Sequence, residues 1–288
     1  MKKIFLLSFF ASFILFSHAQ QTEIQEIANN VNDFSLDNYG NLYVISGNSL
    51  SKFNYNGEKL SSYTRFEWGE ISSINVQNPM KIMVFYQESG IILFLDENLN
   101  PLSEEINLFD NQYNTISLAA YSTANKIYLF DPTNQDLILM DFYFREISRT
   151  HIPFANFNPT QIYTIKESFV AMQLPEQGIF IFDAFGNFDR KIAILTPHPI
   201  LFQDSKISYI ENDKWIHYNF QTLQNEEENI NLPHKNIIRI MQFQNKRFVL
   251  EENGTHGGKN SFRNCAPSFY CKKFSCYHGS GVWKNYRE

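Results

Sequence analysis

The body of this chain lacks cysteine. All three cysteines among the 288 residues, Cys265, Cys271 and Cys276, lie in the last 24 positions. A body without disulfides must be stabilised by burial of apolar surface and by strand pairing. The sequence also has no Gly-x-Ser-x-Gly elbow, no Gly-rich phosphate loop and no His-Glu-x-x-His helix. It therefore predicts no catalytic residue, no cofactor and no metal, and a protein that is not an enzyme.

Histidine is scarce and scattered. The four histidines of the body stand singly, far apart along the chain: His151, His198, His217 and His234. Acidic residues are plentiful, but they fall on predicted turns and outer strands, where solvent contact is the default. Loops that are distant in the sequence can still assemble a site in the folded chain, so binding residues are left unknown at this stage.

Long apolar runs are missing except at the start. Lys2 and Lys3 precede an apolar run over 4–16, which is short for a membrane span, and Ser17-His18-Ala19 places small residues at the −3 and −1 positions of a cleavage site. No cysteine follows that site, so the bacterial lipoprotein pattern is absent. We predict a signal peptide at 1–19, with an uncleaved anchor as the alternative. The mature protein is then expected to be exported, most simply to a periplasm, without membrane insertion.

Positive charge is in deficit. The net charge is −6, and residues 251–288 carry six Lys or Arg against three Glu, so the body is more acidic than the whole. Nucleic acids and anionic lipids both require a positively charged surface on the protein. The body is therefore predicted to bind neither.

A strand-rich repeat is the main positive signal. The stretch from Leu36 to Leu60 reads strand, turn, strand, turn, strand, and apolar inner strands like its own recur along the chain. A second recurring feature is a strand that ends in an apolar residue followed by Asn or Asp, and we call this Asn or Asp the anchor. The anchor residues of this second type are Asn54, Asp96, Asp141, Asp183 and Asn219. They are 42, 45, 42 and 36 positions apart, a period typical of propeller blades.

These repeats predict an all-β fold, a six-bladed β-propeller of four-stranded antiparallel blades. The predicted blades span 29–66, 67–108, 109–154, 155–195 and 196–232, and a sixth opens after Asn236. Residues 21–28 are expected to supply an outer strand to the sixth blade and to close the ring. The Asn or Asp anchors are expected to bond their own backbone and start the turn to a polar outermost strand.

The repeat pattern breaks near the C-terminus. A sixth anchor is expected near position 260, but no apolar strand precedes Asn260, and the composition becomes Gly- and Cys-rich without Ile or Leu. We divide the chain into a signal peptide (1–19), a β-propeller (20–254) and an aberrant or disordered tail (255–288). A frameshift or faulty gene model would produce this break; a genuine disordered or disulfide-bearing tail is the alternative.

Two segments suggest metals. The tail places Cys265, Cys271 and Cys276 before His278, but this spacing matches no compact zinc knuckle, and a disulfide is the better interpretation. The segment 131–136 is rich in oxygen ligands but lacks their alternation and the glycine of a calcium loop, so we interpret it as a turn between strands.

The first blade resembles the NHL-like, or YVTN-like, repeat family. Residues 36–44, LDNYGNLYV, are similar to that family's D-x-x-G-N-x-Y-V unit, and residues 52–57, KFNYNG, to its K-F-x-x-x-G unit; residues 182–187, FDAFGN, keep part of the pattern. The resemblance implies a propeller that binds proteins or small ligands on one face. It brings no catalytic residues.

The signal sequence and the Asn/Phe/Ile-rich composition also resemble exported accessory proteins of Bacteroidota. One such setting is the type IX secretion system, whose periplasmic proteins dock on a large outer-membrane channel. The leading hypothesis is a non-enzymatic periplasmic binding module with a protein partner, an accessory of such an outer-membrane complex. The alternative is a propeller enzyme or carbohydrate-binding protein with an axial site.

Overall fold

The computed structural model describes residues 31–203, 205–212, 214–229, 237–244 and 246–250 in full, and the backbone alone of 24–28, 251 and 273–278. The predicted signal peptide (1–19), His234, Cys265 and Cys271 lie outside these residues. Within them every regular element is a β-strand. None of the described residues belongs to a helix with the length and hydrophobicity of a membrane span.

The strands form four-stranded antiparallel sheets, numbered here along the chain. The first strand is β1 (Ile24–Ala28). Sheet 1 contains β2 (Asp33–Leu36), β3 (Leu42–Ser46), β4 (Ser49–Phe53) and β5 (Lys59–Thr64). Sheet 2 contains β6 (Ser73–Asn75), β7 (Ile82–Tyr86), β8 (Ile91–Leu95) and β9 (Ile106–Asn107). Sheet 3 contains β10 (Leu118–Tyr121), β11 (Lys126–Asp131), β12 (Asp136–Asp141) and β13 (Glu146–His151).

The second half of the chain continues in the same way. Sheet 4 contains β14 (Gln161–Ile165), β15 (Phe169–Leu174), β16 (Gly178–Asp183) and β17 (Phe188–Ile192). Sheet 5 contains β18 (Leu201–Gln203), β19 (Lys206–Glu211), β20 (Lys214–Asn219) and β21 (Gln224–Asn229). Sheet 6 contains β22 (Ile237–Phe243), β23 (Lys246–Glu251) and β24 (Lys273–His278), with β1 as its outer strand.

Sheet 6 joins the two ends of the chain. Its outer strand β1 pairs antiparallel with β24, in the position that the sequence analysis assigns to residues 21–28. Its third strand β24 belongs to the segment 255–288 and pairs with β23. The repeat period places that strand near residue 260, so the chain reaches it later than expected. The division of the chain at residue 254 stays a prediction.

The sheets pack on one another through apolar clusters. Five clusters join consecutive sheets from 1 to 6, and a further cluster joins sheet 6 to sheet 1 through residues such as Phe34, Met241 and Phe248. The inner strands are therefore buried on both sides, and all five residues of β8 are buried. Because full burial of one Leu, Ile or Phe side chain contributes about 1.5–3 kcal/mol, these clusters are the main source of stability. The predicted all-β, propeller-like arrangement of four-stranded antiparallel sheets is confirmed.

The Asn and Asp anchors build the turns into the outer strands. The Asp183 Oδ1 accepts the backbone N–H groups of Phe185 and Asn187, both at 2.9 Å. Asp96 does the same with Asn98 and Asn100, at 2.8 and 2.7 Å. Asn54, Asp141 and Asn219 likewise accept backbone N–H groups two to four residues further along the chain. The predicted role of these anchors is confirmed.

Lysines also link neighbouring sheets. The Lys81 Nζ of sheet 2 lies 2.9 Å from the ring centroid of Phe142 in sheet 3. The Lys246 Nζ of sheet 6 lies 4.1 Å from the ring centroid of Tyr55 in sheet 1 and donates to its carbonyl oxygen at 2.7 Å. The contact between sheets 6 and 1 therefore resembles the contact between sheets 2 and 3. In both, a lysine of one sheet reaches the turn that follows the third strand of the other.

The strand order defines two faces. In sheets 1 to 5 the four strands are antiparallel and consecutive, so the turns between strands one and two and between strands three and four lie at one edge. We call the surface formed by these turns the turn face. The opposite surface, the loop face, carries the turns between strands two and three and the connections between sheets.

Candidate functional site

A cavity lies where the first strands of the sheets meet. Its volume is about 880 Å³, and its lining includes residues of β2, β6, β10, β14, β18 and β22. Each of these strands pairs with a neighbour on one side only. The other edge of each strand therefore directs part of its backbone N–H and C=O groups towards the cavity. The axial cavity is consequently a polar space enclosed by backbone edges.

Amides and hydroxyls predominate among the polar side chains of the lining. The lining amides are Asn38, Asn75, Gln77, Gln161, Gln203 and Gln242. The lining hydroxyls are Ser35, Ser73, Thr123, Tyr163, Thr164 and Ser168. Both groups donate and accept hydrogen bonds, so the cavity can bind uncharged polar groups of either kind.

One ion pair lies in the cavity wall. The Arg239 Nη1 on β22 donates to both carboxylate oxygens of Asp33 on β2, at 2.6 Å each. The side chain of Arg239 is 11% exposed and that of Asp33 is 36% exposed. Burial lowers the pKa of Arg239, but the adjacent Asp33 carboxylate outweighs this effect and holds the pKa above its ordinary value. Among the described residues, the Nε and Nη2 atoms of Arg239 have no hydrogen-bond partner.

The end of the cavity towards the turn face is narrowed by a polar network. Thr164 is buried on β14, and its hydroxyl bonds the carbonyl oxygen of Tyr121 at 3.0 Å and the Gln77 Oε1 at 3.1 Å. The Gln77 amide in turn donates to the backbone carbonyl oxygen of Thr164 at 2.6 Å. These bonds join sheets 2 and 4 directly, so the lining is rigid on this side.

Two other polar residues of the cavity lining, Tyr163 and Asp37, are hydrogen-bonded within the protein. The Tyr163 hydroxyl donates to the Gln173 Oε1 at 2.9 Å and accepts the Ile200 N–H at 3.1 Å. Burial raises the pKa of Tyr163 well above its ordinary value, so it is a neutral donor near pH 7. The Asp37 carboxylate is engaged by its own turn and by the hydroxyl of Tyr43. Neither Tyr163 nor Asp37 is placed as a general base.

The structure keeps the described histidines apart. His151 lies at the end of β13 near Asp136, His198 lies between sheets 4 and 5, and His217 lies on β20. The Ser208 hydroxyl bonds the His217 Nδ1 at 2.7 Å across the strand pair. Burial lowers the pKa of His217, and Ser208 is buried within the sheet. The geometry is that of a packed cross-strand pair.

The segment 131–136 is a turn, as predicted. The Asp131 carboxylate accepts the N–H groups of Thr133 and Asn134 and the Asn134 side-chain amide. Both oxygens are thereby used within the turn, beside a smaller cavity of about 330 Å³ on the loop face. No group of three or more His, Cys, Asp or Glu with metal-binding geometry occurs in the described part of the chain.

Large apolar side chains are exposed on the turn face. The most exposed large apolar residues of its turns are Tyr39 (72%), Met80 (59%), Tyr143 (77%), Phe185 (59%) and Leu223 (72%). They are drawn from the turns of sheets 1 to 5. Cations accompany two of these rings: the Arg145 Cζ lies 5.3 Å from the ring centroid of Tyr143, and the Lys126 Nζ lies 5.0 Å from that of Phe185. The turn face thus exposes large apolar side chains, and its turns also carry residues of both charges, including Glu97, Glu104 and Glu105.

The loop face exposes fewer large apolar side chains. Its described turns and connections carry the carboxylates Glu67, Glu70, Glu88, Asp110, Asp131, Asp136, Glu176 and Glu211. Its cations are Arg65, Arg149 and Lys214. Phe66, Leu195 and Phe109 are exposed there, at 78%, 57% and 42%. The sequence alone could not reveal this difference in exposed apolar side chains, because it depends on which turns share an edge of the folded sheets.

Comparisons with known proteins agree on the fold. No family model matches the chain, and no curated protein matches it. The chain is similar to virginiamycin B lyase from Staphylococcus aureus, with 10% identity and a TM-score of 0.59 over 90% of this chain and 100% of that one. A catalytically inactive variant of that lyase with quinupristin gives 12% identity and 0.60 over the same shares. A protein from Bacteroides fragilis NCTC 9343, described as exported, gives 12% identity and 0.56 over 89% and 94%. At these identities the similarity establishes the fold alone.

Proposed function

We propose that this chain is an exported, non-enzymatic six-bladed β-propeller, NHL-like in its repeats, that binds a protein partner through its turn face. The observation that carries the proposal is the collection of exposed aromatic and aliphatic side chains on that face. Protein interfaces are enriched in Tyr, Phe, Met and Arg, and their buried centres are depleted of Asp, Glu and Lys. The turn face exposes Tyr39, Met80, Tyr143, Phe185 and Leu223, whereas the described loop face exposes fewer large apolar side chains.

Six blades are supported by the contacts between sheets 6 and 1. The apolar cluster of Phe34, Met241 and Phe248 joins them, and so do the Arg239–Asp33 ion pair and the Lys246–Tyr55 contact. A ring of five blades would leave β22 and β23 without a role between sheets 5 and 1. In this proposal sheet 6 is the closing blade, completed by β1 and β24.

The binding energy is concentrated in the exposed rings. Tyr143 and Phe185 are the most exposed aromatic residues in the turns after third strands, and each is accompanied by a cation. Aromatic residues of this kind dominate binding energy when a partner removes them from water. The partner is accordingly a protein with a complementary apolar surface, since nucleic acid and anionic lipid would require a positive footprint.

The proposed location is the periplasm, and the proposed setting is an outer-membrane complex, type IX-like in character. The location is supported by the signal-peptide pattern of residues 1–19. The setting is supported by the general likeness of composition to Bacteroidota accessory proteins. The outer-membrane setting is the more specific part of the proposal, and a purification from cell envelopes tests it first.

The test uses matched pairs of surface variants. A tagged double variant, Tyr143→Ser with Phe185→Ser, is compared with Phe66→Ser with Leu195→Ser on the loop face. All four side chains are more than half exposed, so both variants should fold with unchanged thermal stability. We expect the turn-face variant to lose a stoichiometric envelope partner by at least about tenfold, while the loop-face variant keeps it. Recovery of no partner by the unmodified protein, or equal loss with both variants, would contradict the proposal.

A propeller enzyme or carbohydrate-binding protein with an axial site remains the alternative function. The cavity of about 880 Å³ favours its binding form. The carboxylates of the cavity lining do not favour its enzymatic form, because Asp33 is paired with Arg239, Asp37 is engaged in a turn and Glu167 is exposed to solvent.

A further inference from the structure

The axial cavity has the dimensions of a small-molecule site. Its volume of about 880 Å³ lies within the roughly 300–1,000 Å³ of ligand pockets. Part of its lining is fixed by hydrogen bonds between sheets, such as those of Thr164 with Gln77. A rigid lining reduces the entropy lost on binding. The cavity is therefore suited to a ligand, independently of what binds the turn face.

The charges of the cavity argue for an uncharged ligand. Its cations are Arg239 and Lys166, and its anions are Asp33, Asp37 and Glu167. Arg239 is already paired with Asp33, Asp37 is bonded within its turn, and Lys166 and Glu167 are exposed to solvent. A ligand of either charge would have to break one of these arrangements or remain uncompensated in a partly buried space, which is costly.

The hydrogen-bonding groups argue for hydroxyls on that ligand. The Nε and Nη2 atoms of Arg239 are donors without partners among the described residues, and the Asp33 carboxylate next to them is a partly exposed acceptor. Adjacent hydroxyls of a sugar can accept from the guanidinium and donate to the carboxylate at the same time. The amides of Gln161 and Gln203 add further groups that donate and accept. Phe202 and Phe243 supply apolar surface for the C–H faces of a sugar ring.

We propose that the axial cavity binds an uncharged polyhydroxylated ligand, a monosaccharide or short oligosaccharide, oriented by the Asp33–Arg239 pair. The inference goes beyond the proposed partner binding and does not depend on it. A neutral peptide segment could use the same amides, but it offers few neighbouring hydroxyls to the ion pair. The sugar is therefore the ligand that uses more of the observed groups.

The test is direct binding to the purified full chain. Glucose, N-acetylglucosamine, maltose and cellobiose are titrated calorimetrically, together with glucuronate, glucosamine and an uncharged Gly-Ser-Asn tripeptide. We expect at least one neutral sugar to bind at least about tenfold more tightly than its charged counterpart and than the peptide. Binding of none of the neutral sugars overturns the proposal, and so does tighter binding of the peptide or of a charged sugar.

Variants test the assigned groups. Asp33→Asn keeps the shape of the side chain and is expected to weaken sugar binding by at least about tenfold, since a hydrogen bond to a charged group is lost. Because Asp33 also joins two sheets, Gln161→Ala provides a second variant. The Gln161 side chain makes no hydrogen bond to the other described residues, and its loss should weaken binding about threefold to tenfold. The exposed Arg190→Gln is the control. Unchanged sugar affinity in both cavity variants overturns the proposal. The Tyr143→Ser/Phe185→Ser variant should bind sugar normally, which separates this result from that of partner binding.

Discussion

Arg239 on β22 and Asp33 on β2 are 206 positions apart in the chain, and Nη1 of the first lies 2.6 Å from both carboxylate oxygens of the second. The pair connects β22 of sheet 6 with β2 of sheet 1. It lies in the wall of the axial cavity, where Arg239 is largely shielded from water. A partner this distant in sequence makes the pair a cross-link between the two ends of the fold.

Loss of one member of this pair should destabilise the whole domain. Arg239→Gln leaves the Asp33 carboxylate in a partly buried site without its cationic partner, and we expect the free energy of unfolding to fall by about 1–3 kcal/mol. Urea denaturation monitored by tryptophan fluorescence measures this change. Arg190→Gln removes an exposed ion pair with Asp189 and should cost less than about 1 kcal/mol. Equal effects of the two substitutions would show that the Arg239–Asp33 pair does not join the sheets energetically.

The contact between Gly40 and Phe243 gives a second test of the same junction. Gly40 has φ +81°, and a Cβ at this position would overlap the Phe243 ring of β22. Gly40→Ala should therefore lower stability by about 1–3 kcal/mol. Gly47→Ala is the matched control, because Gly47 also has positive φ (+58°) but its Cβ would meet only one atom, at 4.0 Å. The substitution at position 40 should be the more harmful, and Phe243→Leu should restore part of the loss.

Lys246 should contribute more to stability than a typical surface lysine. Its Nζ donates to the Tyr55 carbonyl oxygen at 2.7 Å and also lies over the aromatic ring of Tyr55. Lys246 is 7% exposed. Lys246→Met keeps the aliphatic stem and removes both interactions, so the free energy of unfolding should fall by roughly 1–2 kcal/mol. Lys206→Met, which removes an exposed pair with Glu226, should change it by less than about 1 kcal/mol. A thermal melt that ranks the two variants in the opposite order would rule out the cross-sheet role.

Sequence reasoning could predict the elements that depend on local chemistry. The anchors at Asp96 and Asp183 are recognisable because an Asx turn needs only a side chain and the backbone two to four residues on. Buried strands such as Ile91–Leu95 are recognisable because both of their faces are apolar. The all-β class and the sheet order follow from these two signals.

The candidate sites could not be predicted in the same way. The Arg239–Asp33 pair depends on which strands meet at the axis, and the apolar turn face depends on which turns share an edge. Neither relation has a local signature in the sequence. The late position of β24 is a different case: the repeat period predicts a strand near 260, and the backbone pairs Lys273–His278 with β23 instead.

The turn aspartates should make the protein less stable in acid. Partial burial raises the pKa of Asp183, but hydrogen bonds from Asn187 and the turn backbone outweigh this effect and hold the pKa below its ordinary value. The folded state then binds this proton less readily than the unfolded chain does. The stabilisation it gives is fully present above the unfolded pKa of about 3.9 and is lost as the pH falls through the folded value.

Replacing Asp183 by Asn, and Asn219 by Asp, isolates the contribution of the turn carboxylate to acid sensitivity. Asp183→Asn keeps an Oδ1 acceptor for the turn, as Asn219 does in sheet 5 with the N–H groups of Gln221 and Thr222, but it binds no proton. Its unfolding free energy should therefore decline less steeply than that of the natural chain between about pH 5 and pH 3. Asn219→Asp introduces a titrating group into an equivalent turn and should make the decline steeper. Urea titrations at pH 7, 5, 4 and 3 give the slopes, and parallel slopes for all three proteins would mean that these turns do not carry the acid sensitivity.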